Sequence, residues 1–213
     1  VDSQSLVVAS NTTLSVADFT AAGSVQVRNG GVLRVAGGSS QFSSNVIVEA
    51  GGRWDVIQSA RVQVDQGVTN RGEMHWISAN QTFDLFGAGR VENEGLWEMF
   101  QDPASTCCFS SIEVPVHMAP SGRFLVSTNA RVLMGNSQSL TVDGTLEVQD
   151  GALLLMQDNG GGHDVAVNAS GRLIGRGLIR FTRPASRCRR TTKRSRQRGG
   201  LRRRRDSIPN SRS

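Results

Sequence analysis

The chain has 213 residues, of which 24 are Gly, one is Lys and none is Tyr, and 38% of it is hydrophobic. The formal charge of +6 hides a division: residues 183–213 hold 13 basic residues against one acid, leaving 11 basic and 17 acidic residues in 1–182, a net −6. An acidic body without a basic stripe argues against specific nucleic-acid binding, no apolar run approaches the ~18 residues of a membrane span, and three Cys are too few for a disulfide scaffold.

Along the chain, residues 1–23 contain Leu6-Val7-Val8 and Leu14-Ser15-Val16, the remnant of an atypical first coil or cap. The sequence starts at Val1 without an initiator Met or a leader and reads as a mature product or an excerpt. From there a glycine recurs with a large apolar residue two positions later: Gly31/Leu33, Gly52/Trp54, Gly72/Met74, Gly95/Trp97, Gly122/Phe124, Gly144/Leu146 and Gly171/Leu173. In six of the seven a second apolar residue follows at Gly+4: Val35, Val56, Trp76, Met99, Val126 and Val148. The glycines stand 21, 20, 23, 27, 22 and 27 residues apart. A turn residue leading into period-two apolar spacing at this interval predicts a solenoid whose coils are built from strands. Each repeat reads strand, turn, strand, as in Val25-Gln26-Val27, Arg28 to Gly31, then Val32 to Val35. Glycine at the corner is expected to supply a positive φ. Asn-Gly and Asp-Gly also suit antiparallel hairpins, but a 20- to 27-residue repeat fits a three-sided parallel coil better.

The expected architecture is therefore all-β, a single-stranded right-handed parallel β-helix of about seven coils over 1–181, with a basic disordered tail over 182–213. Stacking places Leu33, Trp54, Met74, Trp97, Phe124, Leu146 and Leu173 in one interior ladder, and the Gly+4 residues in the next. Trp54, Trp76 and Trp97 then read as core rather than as sugar-stacking surface. Gln101–Ser111 and Asn159–Gly162 read as loops leaving the stack.

Candidate sites come from the outward row at Gly+3: Arg34, Asp55, His75, Glu98, Leu125 and Glu147. Rungs about 4.8 Å apart bring Asp55, His75 and Glu98 within acid–base reach of each other, flanked by Arg53 and Glu73. The competing reading is a solvated face whose alternating charges relieve cross-strand repulsion, so no catalytic residue is assigned. Asn11-Thr12-Thr13, Asn80-Gln81-Thr82 and Asn168-Ala169-Ser170 match the N-glycosylation acceptor. Cys107 or Cys108 is open to a disulfide with Cys188, to a vicinal bond, or to remaining reduced; the spacing does not suit zinc. Arg202 to Arg205 cap a tail whose alternative role is electrostatic polyanion binding.

The pattern Val-x-Val-x-x-x-Gly-x-Leu-x-Val at Val25–Val35 resembles the right-handed parallel β-helix of pectin-lyase-like proteins and of adhesin or autotransporter passenger regions, over about 24–181. The resemblance implies an extracellular or cell-surface setting. It implies either a non-enzymatic structural or adhesive segment of a larger protein, or a carbohydrate-active enzyme or polysaccharide-binding module. Such enzymes carry clustered Asp with a nearby Arg or Lys, whereas this chain has no Asp-Asp pair, its only Lys is in the tail, and Gly162-His163-Asp164 lacks accompanying carboxylates. The expectation is thus a scaffold without cofactor or metal, partnered by surface glycans or proteins, with solenoid ends open to end-to-end self-association.

Overall fold

The computed structural model describes residues 5–58, 60–78, 83–101, 109–135, 138–157 and 165–182, and the backbone of 189–190. Each coil gives one strand to each of three sheets. The first coil supplies β1 (Leu6–Val8), β2 (Thr13–Val16) and β3 (Thr20–Ala21). The order repeats down to β22 (Val165–Val167), β23 (Arg172–Gly175) and β24 (Leu178–Thr182). A short β25 (Arg189–Arg190) pairs with Ala166 and Val167, so the first sheet runs one strand past residue 182. The three sheets hold nine, eight and eight strands, each hydrogen-bonded to the strand three places away in sequence.

Every such pairing is parallel, as between Leu33 and Trp54 or Met74 and Trp97. It is a three-sided parallel β-solenoid. Eight rungs give seven rises, in keeping with the coil count read from the repeat; hairpins would have been antiparallel.

Period-two alternation explains why the stack holds. In the second sheet Leu33, Trp54, Met74, Trp97, Phe124 and Leu146 follow one another in register, at 0–1% exposure. Val35, Val56, Trp76, Met99, Val126 and Val148 form the adjoining column, at 0–2%. Leu173 continues the first column opposite Leu146 but is 47% exposed, because no further rung of this sheet covers it among the described residues. Aromatic rings bind the middle of the core. Trp76 meets Trp54, Phe83 and Trp97 edge-on at 6.3, 6.2 and 5.6 Å, and Trp97 stacks on Phe124 at 4.7 Å. The indole N–H groups of Trp54, Trp76 and Trp97 reach no acceptor among the described residues; edge-on packing aims the positive rim of a ring at the π face of a neighbour. Polar residues inside are tied across rungs, as where buried Asn70 donates to Asn93 Oδ1 at 2.6 Å and Asn93 donates to Arg123 O at 3.1 Å.

The repeat glycines owe their place to a different cause from the one expected. None of the seven lies in the left-handed region; positive φ falls one residue earlier, at Gly30 and Gly51. A Cβ on Gly72 or Gly144 would instead press within 3.0 Å of the carbonyl oxygen of Gly52 or Gly122 on the preceding rung. Close stacking of the corners, rather than a special φ, demands glycine there. The expected loop from Gln101 is also shorter than read: Gln101 closes β14 (Leu96–Gln101), and Ser110 and Ser111 open β15 (Ser110–Ile112).

Candidate functional site

Asp55, His75 and Glu98 occupy consecutive rungs of the second sheet in direct register. Their chemistry is divided rather than shared. Asp55 is only 1% exposed, and its two oxygens are held by Arg34 Nη2 at 3.2 Å and Arg53 Nε at 2.5 Å. His75 turns its Nε2 to Glu73 at 3.0 Å and its Nδ1 toward Glu98 at 3.5 Å. Glu98 also accepts from Ser127 Oγ at 2.5 Å. The row thus resolves into an Arg–Asp–Arg clamp and a Glu–His–Glu group, each joining neighbouring rungs. The same face carries an outward apolar column, Ile57, Ile77 and Phe100, with Phe100 39% exposed.

A second charged group lies on the first sheet, outside the Gly+3 row. His117 Nδ1 is 2.5 Å from Glu92 Oε1 and its Nε2 is 2.8 Å from Asp143 Oδ2. Glu92 precedes His117 by one rung, and Asp143 sits in the turn of the next. Both ring nitrogens face carboxylates, so both act as donors in the imidazolium form. The hydrogen bond to Asp143 raises the His117 pKa above 6.5; burial opposes this and the Glu92 charge adds to it. Asp143 is correspondingly lowered, first by the hydrogen bond from His117 and then by that from Asn168. An imidazolium held this way is a strut between three rungs, and a poor base. The signal was present: Glu92 and His117 are the middle residues of Val91-Glu92-Asn93 and Val116-His117-Met118, so the stacking logic used for Gly+3 pairs them as well. A depression of about 320 Å³ adjoins them, lined by Arg90, Pro115, Ser139 and Thr141. A larger one, about 500 Å³, lies at the corner between the second and third sheets of the last rungs, lined by Asn129, Arg131, Gly151, Arg176 and Leu178.

Of the acceptor asparagines, Asn11 is exposed in a turn with φ 57°, and Asn168 is half-buried and bonded to Asp143. Asn80, Cys107, Cys108, Cys188, His163, the Asn159–Gly162 loop and most of the basic tail lie outside the described residues. Among the described residues no group of three or more His, Cys, Asp or Glu is placed to hold a metal ion, and no helix is long and apolar enough to cross a membrane.

No family model matches the chain, and no curated protein matches it. Among solved structures it is similar to a TibC-catalysed hyper-glycosylated TibA fragment, at 15% identity and a TM-score of 0.20, over 87% of this chain and 94% of that one.

Proposed function

We propose that this chain is a non-enzymatic structural or adhesive β-solenoid segment of a larger secreted or cell-surface protein, offering flat lateral faces to surface glycans or other proteins. One observation carries the reading: the outward charged residues best placed for acid–base work are engaged in tying rungs together. Asp55 is buried under two guanidiniums, and His75 and His117 each lie between two carboxylates. Groups held in this way stiffen a rod and leave little freedom to exchange protons with a substrate. The faces themselves are sheets of parallel strands, suited to broad contact rather than to enclosing a small molecule.

The test is a glycan array probed with the purified chain, run beside turnover assays on the glycans that bind. The scaffold reading expects retention of a surface glycan or protein partner without chemical change. Depolymerisation of any polysaccharide that is lost in both His75→Ala and Glu98→Ala would overturn it.

A further inference from the structure

The last rung differs from those beneath it. Among the described residues β23 pairs on one side only, with β20 (Thr145–Val148), and β24 on one side only, with β21 (Leu153–Gln157). On the first sheet, by contrast, β25 already covers β22. The inward columns also come to the surface here. Leu173 and Phe181 are 47% and 41% exposed, whereas their partners one rung back, Leu146 and Met156, are each 1% exposed. An edge that bears no further strand among the described residues and presents uncovered apolar side chains is a template for another strand.

Charge selects which strand. Arg34, Arg53, Arg61, Arg71 and Arg123 each hold a carboxylate. Arg28 and Arg90, lower in the stack, take no ion pair among the described residues, and neither do Arg131, Arg172, Arg176 and Arg180, which are all exposed and gather in the last three rungs. Arg172 and Arg180 alternate with Leu173 and Ile179 and so stand on the outer face of their strands. Arg131 rests over the Phe109 ring at 4.7 Å and, with Arg176, borders the 500 Å³ depression that leads to Leu178 at the start of β24. The neighbouring carboxylate of Asp150 is turned to the Gly151 N–H at 3.1 Å. Guanidiniums held beside an open strand edge suit carboxylates arriving along an extended backbone.

We propose that the open edge of the last rung docks an extended acidic polypeptide segment, acidic and apolar residues alternating, which adds as a strand to β24. Its apolar side chains cover Ile179 and Phe181, and its carboxylates meet Arg180 from the neighbouring strand and Arg176 from the corner. The chain's own continuation already places β25 on β22 of the first sheet, but on β24 its 13 basic residues against one acid in 183–213 would face Arg176 and Arg180, so an acidic segment suits that edge better.

The probe is a fluorescein-labelled octapeptide of alternating Glu and Val, with a Lys/Val octapeptide as its counterpart. Both are titrated into the full chain by anisotropy, and amide exchange is followed. The Glu/Val peptide is expected to bind and to slow exchange within 178–182. Arg176→Glu/Arg180→Glu is expected to weaken it about tenfold, about 1.4 kcal/mol, and to gain binding of the Lys/Val peptide. That gain cannot come from misfolding. The proposal is overturned by failure of the Glu/Val peptide to bind, by equal binding of both peptides, or by unchanged exchange within 178–182. It is equally overturned by an affinity that survives charge reversal, which places the contact on the basic tail, or by heparin slowing the same amides as well as the peptide does.

Discussion

Trp97 and Leu173 stand in one column of the second sheet, both two residues after a repeat glycine, yet truncating them should have very different costs. Trp97 is 0% exposed, stacked on Phe124 at 4.7 Å and edge-on to Trp76 at 5.6 Å. Replacing it with Ala removes the transfer energy of a buried indole and leaves a cavity that rigid neighbouring rungs cannot close, a loss of about 3–5 kcal/mol. The missing indole N–H partner trims this a little, since its removal relieves an unpaired buried donor. Leu173 is 47% exposed. A fully buried Leu side chain contributes about 1.5–3 kcal/mol, so Leu173→Ala should cost roughly half of that, about 1 kcal/mol, with little cavity term. Urea titration followed by tryptophan fluorescence and far-ultraviolet dichroism reads both losses, with dichroism the common probe because Trp97→Ala removes one fluorophore. Equal costs for the two variants, or a Trp97→Ala cost below about 1 kcal/mol, would refute the assignment of inward column and open end.

Three further outcomes follow from the same geometry. His117 has a raised pKa in the fold, so its contribution is present in full below its unfolded value near 6.5 and is lost as pH rises through the raised folded value; the midpoint of thermal unfolding should fall across that window, and His117→Gln should flatten the fall. Gly72→Ala should destabilise, because its Cβ meets the Gly52 carbonyl, whereas Gly135→Ala, whose Cβ meets nothing nearer than 3.4 Å, should be neutral or stabilise by about 0.4–1 kcal/mol; paired denaturant midpoints decide it. Arg34→Met with Arg53→Met strands the buried Asp55 carboxylate and should cost about 2–4 kcal/mol at pH 7, largely recovered by adding Asp55→Asn; absence of that recovery would show that the arginines act through packing alone.

The fold was legible because a solenoid repeats its instructions. A glycine followed by two apolar residues at alternating positions states at once where the corner is and which side of the next strand faces in. That is why Trp54, Trp76 and Trp97 could be placed in the core from spacing alone. What the spacing could not convey was the reason for the glycine. A close approach between rungs and a left-handed φ leave the same letter, and only the backbone separates Gly72 from Gly51. The charged rows were half legible: register brought Asp55, His75 and Glu98 to one face, but which oxygen each arginine takes depends on side-chain reach across rungs. His117 stands on the first sheet, whereas the Gly+3 row that the glycine motif marks lies wholly on the second. Its link to Asp143 crosses from a strand to a turn, where period-two reasoning does not extend. The exposure of Leu173 is a property of position in the stack, invisible to a motif that treats every repeat alike.

The stacking register underlies every row, clamp and edge described above, and a distance ruler along one column tests it most directly. Thr13, Leu96 and Thr145 share a column of the second sheet, with Leu96 four rungs and Thr145 six rungs above Thr13. Nitroxide labels on Cys at these positions, with Cys107, Cys108 and Cys188 changed to Ser, should give electron–electron distances of about 19 Å for Thr13–Leu96 and about 29 Å for Thr13–Thr145, one 4.8 Å step per rung. Distances that fail to lengthen by about 10 Å between the two pairs would contradict the parallel stack.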